Sequence, residues 1–212
     1  MARSQSVKFG GNGLVLEGML HYPQGRAPVA AVVVCHPHPQ RGGDMQNSVV
    51  RTVVNGVTAA GAIAMTFNFR GVGGSEGSYD EGVGEQDDVR AALAYARNLP
   101  NVEQVGLAGY SFGAGMAANV VDASIPRLGL IAVPTRQLQA PGLSGYDGPV
   151  LFATGSNDNI SSLEAIETVA SARGENAVVL AAQGADHFWW GHEEELAEAV
   201  RDFFAPLVPV TA

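Results

Sequence analysis

Continuous apolar runs alternate along this chain with segments of helical spacing, and this alternation limits the possible folds more than any other feature. The runs 29–35 and 63–69 are rich in β-branched and small residues, which predicts strands that are covered on both faces. Segments such as 84–99 instead place apolar residues on one helical face and acids in the first turn. Strands that alternate with helices form a mostly parallel sheet with helices on both faces.

The whole pattern predicts an α/β three-layer sandwich with a mostly parallel, twisted sheet of about 7–8 strands in one domain over residues 1–212. A hairpin around Gly10-Gly11-Asn12-Gly13 opens the chain. Predicted strands cover 6–9, 14–22, 29–35, 63–69, 105–110, 128–133, 149–154 and 177–182, and predicted helices cover 44–60, 84–99, 112–122, 161–172 and 193–204. Ser161 is the predicted N-cap of its helix, with Glu164 completing a capping box. Residues 134–148 lack periodicity and predict a crossing loop that is too short for a folded cap.

A strand, a sharp turn and a small-residue helix are predicted over residues 105–118. Within them, Gly109-Tyr110-Ser111-Phe112-Gly113 matches the G-x-S-x-G nucleophile elbow. Such a turn holds the serine hydroxyl clear of the backbone, and the crowded positions two before and two after it must be small. The N-terminal N–H groups of the next helix point to where negative charge would develop. For these five residues alone, a Gly-rich turn with an incidental serine is the alternative.

A serine hydroxyl is a weak nucleophile and needs an adjacent base. The chain contains five histidines, His21, His36, His38, His187 and His192. His21 lies in the predicted hairpin, and His192, at the start of the last helix, is more typical of a capping or surface residue. His187 follows the final predicted strand, where loops from the carboxyl ends of parallel strands gather. His187 is therefore the predicted base.

The base in turn needs an orienting acid, which should follow a strand between the serine and the histidine. Asp158 meets this condition. Asp186 neighbours the histidine and cannot easily reach back to it, while Asp147 precedes its strand and falls at the wrong end of the sheet. The resulting order of Ser111, Asp158 and His187 is the order that accompanies a G-x-S-x-G elbow in α/β-hydrolases.

An oxyanion hole requires two N–H donors, and the backbone N–H of Phe112 is the first candidate. The second should come from the loop after residue 35, where His38 is the nearest donor and Gln40 the next, because Pro37 and Pro39 have no N–H. His36 and His38 could instead share a metal with Asp44, or His36 could pack below the site and hydrogen-bond the loop. Candidates for the substrate pocket are Gln40, Tyr110, Trp189 and Trp190; one of the two tryptophans is expected to pack under the last helix instead.

The chain resembles the small, cap-less, dienelactone-hydrolase-like serine esterases of the α/β-hydrolase superfamily. The matching motifs are His36-Pro-His-Pro-Gln-Arg-Gly-Gly-Asp-Met, Phe67-Asn-Phe-Arg-Gly-Val-Gly-Gly-Ser-Glu-Gly, Gly109-Tyr-Ser-Phe-Gly, Gly155-Ser-Asn-Asp and Gly184-Ala-Asp-His-Phe. Dienelactone hydrolases proper use a cysteine nucleophile, whereas this chain has Ser111 and carries Cys35 elsewhere, so their substrate does not transfer. Asn68 stands where many α/β-hydrolases have Asp and is interpreted as structural. The resemblance implies hydrolysis of carboxylic esters without a metal or organic cofactor.

Charge and cysteine content limit the partners and the compartment. Lys and Arg total 12 against 21 for Asp and Glu, a net charge of −9, and without a basic patch this disfavours nucleic acid and anionic membranes. Cys35 is the sole cysteine and the first eight residues are polar, which predicts a cytoplasmic protein without disulfides. The expected partner is a small-molecule ester with a short to medium acyl group. The sequence also leaves open three alternative functions, namely a thioesterase, an acyltransferase and a non-catalytic binding protein. It does not decide the oligomeric state.

Overall fold

Strands and helices alternate along the residues that the computed structural model describes, which are 3–11, 13–25 and 28–208. The strands are β1 (Ser4–Gly11), β2 (Leu14–His21), β3 (Ala30–Cys35), β4 (Ile63–Phe67), β5 (Gln104–Tyr110), β6 (Leu128–Ile131), β7 (Val150–Gly155) and β8 (Ala177–Ala182). The α-helices are α1 (Ser48–Ala59), α2 (Gly84–Arg97), α3 (Phe112–Val120), α4 (Pro141–Ser144), α5 (Leu163–Arg173) and α6 (Glu193–Phe204).

All eight strands belong to one sheet in the order β1-β2-β4-β3-β5-β6-β7-β8. β1 and β2 form the predicted hairpin, and β2 pairs antiparallel with β4. From β4 to β8 every pairing is parallel. The predicted mostly parallel α/β sheet is thus confirmed. The assignment of residues 1–212 to a single domain stays a prediction.

Helices cover the sheet on both faces, which explains the continuous apolar strands. In β3 every residue is buried, and successive side chains point to opposite faces of the sheet. Ala31, Val33 and Cys35 join a core with α2, α3 and α5. Ala30, Val32 and Val34 join a second core with α1 and α6. A strand without polar alternation is therefore one that faces two cores.

Two helices begin later than their sequence pattern predicts. α1 begins at Ser48 rather than residue 44, because the Asn47 side chain accepts a hydrogen bond from the backbone N–H of Val49 and caps the helix. α5 begins at Leu163, and its N-cap is Ser162 rather than Ser161. The backbone N–H of Ser161 instead donates to Asp158. The predicted capping box from Ser161 to Glu164 is therefore wrong.

Other boundaries differ by a few residues. The strands predicted over 63–69 and 128–133 end at Phe67 and Ile131. Gly10 and Gly11 of the predicted turn extend β1, while residue 12 lies outside the described residues. The predicted loop over 134–148 contains a 3-10 turn, Thr135–Gln139, and the four-residue α4. These short turns do not form a separate cap.

Candidate active site

Ser111 sits alone between the end of β5 and the start of α3, with φ 54° and ψ −116°. A positive φ is uncommon for a residue other than glycine and marks local backbone strain. The backbone N–H of Ser111 is held by the carbonyl of Ile131 at 2.9 Å. A Cβ added at Gly109 would collide with the backbone of Gly113, and one added at Gly113 would collide with the backbone of Cys35. Both elbow glycines are thus required by close backbone approach.

The structure brings Ser111, His187 and Asp158 into one hydrogen-bonded chain. Ser111 follows β5, Asp158 follows β7 and His187 follows β8, so parallel strands deliver all three to one sheet edge. His187 Nε2 lies 2.9 Å from Ser111 Oγ, and His187 Nδ1 lies 2.8 Å from Asp158 Oδ2. With Nδ1–H donating to the carboxylate, Nε2 is left to accept the serine hydroxyl proton.

The Asp158 side chain is fully buried, and both of its carboxylate oxygens accept hydrogen bonds. Its Oδ1 accepts hydrogen bonds from the backbone N–H groups of Ile160 at 2.8 Å and Ser161 at 2.9 Å, which leaves Oδ2 for the imidazole. A buried carboxylate is tolerable only when its oxygens are paired in this way. The His187 side chain is 11% exposed, whereas the Asp158 side chain behind it is fully buried.

Tyr110 and Trp189, which the sequence predicts to line the pocket, are instead buried next to the loop that carries His187. The Tyr110 hydroxyl donates to the backbone carbonyl of His187 at 2.9 Å, and Tyr110 is buried. This burial, with the nearby Asp158 charge as a smaller cause, raises the pKa of Tyr110. Trp189 is fully buried in the same core as Leu196 of α6, as expected for one of the two tryptophans. Neither residue presents a surface for substrate.

A cavity of about 370 Å³ opens beside Ser111. It is lined by His38, Arg41, Ser111, Phe112, Pro134, Arg136 and Ile160. Gln40 and Trp190 are exposed and do not line it, and Tyr110 and Trp189 are buried away from it. None of the four residues predicted for the substrate pocket is therefore part of the lining of this cavity. A larger cavity of about 460 Å³ lies between α4 and α5, away from the serine.

His38 borders the cavity, while His36 lies beneath it. The His38 ring is 5.0 Å from the Phe112 ring, centroid to centroid, and its Nδ1 accepts from the backbone N–H of Gln40. His36 is fully buried; its Nδ1–H donates to the Pro37 carbonyl at 2.6 Å, and its Nε2 accepts from the N–H of Phe69 at 3.0 Å. Burial lowers the pKa of His36 to about 4. His36 thus packs below the site and has no free ring nitrogen for a metal.

Among the comparisons with known proteins, the solved structures identify the family of this chain. No protein-family model matches the chain. An uncharacterised protein of Rickettsia prowazekii is 32% identical over 188 residues, which are 84% of this chain and 78% of that protein. The structure of an α/β serine hydrolase homologue from Coxiella burnetii covers 93% of this chain and 96% of its own, at 32% identity and a TM-score of 0.83. The chain belongs to the α/β serine hydrolases. A Xanthomonas campestris member without a lid is 27% identical, with a TM-score of 0.88 over 99% of this chain and 97% of its own.

In this serine hydrolase Asn68 anchors the loop that carries His38. Its Oδ1 accepts from the backbone N–H of Met45 at 2.9 Å, and its Nδ2 donates to Glu17 at 2.6 Å. Glu17 also accepts from the backbone N–H of Gly74 at 2.6 Å. The amide can donate to the glutamate and accept from the backbone at once, a pair of roles that an ionised aspartate could not fill. The interpretation of Asn68 as structural fits these contacts.

Sequence reasoning missed four residues that line the cavity of this serine hydrolase. They are Arg41, Pro134, Arg136 and Ile160. Arg41 follows the predicted donor loop directly and could have been considered there, whereas Arg136 lies in a segment without periodicity. Within residues 3–11, 13–25 and 28–208, no cluster of His, Cys, Asp and Glu could hold a metal ion. No helix in that part of the chain is long and apolar enough to cross a membrane.

Proposed function

We propose that this α/β serine hydrolase cleaves carboxylic esters through an acyl-enzyme, with Ser111 as nucleophile, His187 as base and Asp158 as the orienting acid. The hydrogen-bonded chain from Ser111 Oγ through His187 to the buried Asp158 carries the proposal. A nucleophile with its base in hydrogen-bond reach, and a base oriented by a third group, is the arrangement that acyl transfer requires.

In the proposed reaction His187 Nε2 removes the Ser111 hydroxyl proton as the oxygen attacks the ester carbonyl. The imidazolium then gives this proton to the leaving alcohol, and the carbon–oxygen bond to that alcohol breaks. Water, deprotonated by the same nitrogen, attacks the acyl-serine and releases the acid with the serine restored. Asp158 holds the ring in the required tautomer and stabilises its positive charge.

The negative oxygen of the tetrahedral intermediate would be bound by two backbone N–H groups. Phe112 opens α3, and the first N–H groups of a helix have no partner within it. The backbone N–H of His38 has no hydrogen-bond partner among the described residues. His38 and Phe112 also border the same cavity as Ser111. Each such donor is typically worth about 2.7–4 kcal/mol of transition-state stabilisation.

The absence of a separate cap and the small cavity favour short to medium acyl groups. The cavity volume is about 370 Å³, which is near the lower end of the usual range for ligand pockets and leaves little room for a long acyl chain. A series of 4-nitrophenyl esters of rising acyl length tests this part of the proposal. A maximum of kcat/KM at long chains would contradict it.

The triad is tested by Ser111→Ala, which should lower kcat on a short 4-nitrophenyl ester by about 10⁶-fold if the three residues act as a unit. Asp158→Asn should lower kcat by about 10⁴-fold. Ser144→Ala is the matched control, because Ser144 is exposed on α4 and away from the site. Retention of most of the activity in the Ser111 variant would refute the proposal.

Two further measurements separate the competing functions that share this triad. A fluorophosphonate probe should label the wild type at Ser111 and should not label Ser111→Ala; an unlabelled wild type would favour a binding protein over an enzyme. A matched pair of oxyester and thioester substrates distinguishes an esterase from a thioesterase. The esterase proposal predicts the higher kcat/KM on the oxyester.

A further inference from the structure

The cavity beside Ser111 carries a concentration of positive charge that the chain as a whole lacks. The net charge is −9, yet the seven residues that line this cavity include Arg41 and Arg136 and no carboxylate. Both arginines lie in short 3-10 turns that follow parallel strands, Arg41 after β3 and Arg136 after β6. Two different loops therefore bring a guanidinium to the same cavity.

Neither guanidinium is used to hold the fold. Other arginines of the chain do stabilise the fold: Arg70 makes an ion pair of 2.8 Å with the buried Asp88, and Arg173 donates to three backbone carbonyls. Within the described ranges 3–11, 13–25 and 28–208, the side chains of Arg41 and Arg136 have no hydrogen bond and no ion pair. Their donors are thus free to meet a ligand.

The positive charges of Arg41 and Arg136 act on the His38 ring, which lines the same cavity as Ser111. The pKa of His38 is lowered, first by burial of the ring and then by the positive charges of Arg41 and Arg136, against a smaller opposing effect of Glu85. An exposed acid, Glu81, lies on the Arg136 side, where it lines a small adjoining cavity. The positive field therefore reaches the part of the cavity where His38 and Ser111 lie together.

We propose that Arg41 and Arg136 select esters that carry a carboxylate a few atoms from the scissile carbonyl, as in a half-ester of a dicarboxylic acid. The planar guanidinium matches a carboxylate with two parallel N–H···O bonds. A concave site lined by one sign of charge also concentrates ligands of the opposite sign. Because the protein carries a net negative charge, it repels an anionic substrate except where positive charge is concentrated. The two arginines supply that charge beside Ser111. The inference rests on the proposed esterase function and names its substrate class.

The test compares three ethyl esters of similar size that differ in charge at the far end of the acyl chain. They are ethyl hydrogen adipate, its neutral monoamide analogue and ethyl 6-aminohexanoate, with release of ethanol as the readout. At low salt the wild type should prefer the carboxylate over the amide by about tenfold in kcat/KM, and should disfavour the ammonium. Because the guanidinium groups are exposed, the preference should shrink at high salt.

Arg41→Gln and Arg136→Gln should each lower the carboxylate-to-amide ratio by about threefold, and the double variant should bring it close to one. Arg41→Lys keeps the charge without the fork and should give an intermediate ratio. Arg51→Gln is the control for net charge, since Arg51 is exposed on α1 and outside the cavity; its ratio should match the wild type.

The outcomes separate the two proposals. Equal hydrolysis of the carboxylate and amide esters by the wild type, or an equal loss of preference in Arg51→Gln, would overturn the assigned substrate class and leave the esterase function intact. If none of the three esters nor any 4-nitrophenyl ester is hydrolysed, both proposals fall together.

Discussion

Gly113, in the first turn of α3, cannot accept a side chain without a shift of the main chain beside the candidate site. A Cβ at this position would lie 2.5 Å from the His36 carbonyl oxygen and still closer to that of Cys35, whereas ordinary contacts begin at 3.4 Å. The required displacement is therefore at least 3.4 − 2.5 = 0.9 Å. Both obstacles are backbone atoms at the end of the central strand β3, so no side-chain rotation can remove them.

Gly115 provides a matched control in the same helix. A Cβ there would meet Gln137 Cγ at 2.9 Å and Cδ at 3.3 Å, and a flexible side chain can turn away. In both positions Gly→Ala gains about 1 kcal/mol of helix propensity. Overpacking against an unyielding neighbour costs about 3 kcal/mol. Gly113→Ala should therefore lose about 2 kcal/mol of unfolding free energy, while Gly115→Ala should stay near zero.

Chemical and thermal unfolding measure the difference between the two variants. For a chain of this length, about 2 kcal/mol corresponds to about 4–8 °C in Tm. The 0.9 Å shift also moves the backbone that leads to His38, and misplacement of about 1 Å near a reacting group can cost about 100-fold in rate. If Gly113→Ala is as stable and as active as Gly115→Ala, the close-approach argument for the elbow is refuted.

Three further predictions follow from single contacts. Tyr110→Phe removes the hydroxyl that donates to the part-buried carbonyl of His187 at 2.9 Å, so urea denaturation should show a loss of about 1 kcal/mol; an unchanged midpoint would contradict it. For His36, burial lowers the folded-state pKa to about 4 from 6.5, so the unfolded chain binds the extra proton first and about 3 kcal/mol of stability is lost as the pH falls from 6.5 to 4. His36→Gln should remove that part of the slope, and parallel stability–pH curves for the two proteins would refute the reasoning. Ser162→Ala deletes the N-cap of α5 and should cost about 1 kcal/mol, whereas Ser161→Ala removes a buried hydroxyl without a partner and should cost nothing in a thermal melt; the reverse order would restore the cap predicted from sequence.

The position of the candidate site could be predicted because it depends on chain direction. Ser111, Asp158 and His187 each follow a strand of a parallel sheet, and parallel strands all send their carboxyl ends to one edge. The residue types and their order were therefore enough to expect contact between side chains that are up to 76 residues apart. The hydrogen bonds of 2.8 and 2.9 Å are the part that only the folded chain supplies.

The pocket could not be predicted because adjacency in sequence does not decide which way a side chain points. Trp189 and Trp190 are neighbours, yet the first is fully buried and the second is 69% exposed. For a related reason, the N-cap of α5 is Ser162 and not the predicted Ser161. The backbone N–H of Ser161 donates to Asp158, so the position of Ser161 is fixed by the candidate site rather than by the helix.

The sequence by itself determined the alternation of strands and helices, the elbow around Ser111 and the placement of an acid and a base at the same sheet edge. These follow from periodicity and from steric limits that act over a few residues. Only the tertiary structure decided which loops enclose the serine and which charges they bring. Arg41 and Arg136 lie 95 positions apart by residue number, 136 − 41, on loops without periodicity. Their meeting depends on the packing of the whole sheet edge, which no local pattern encodes.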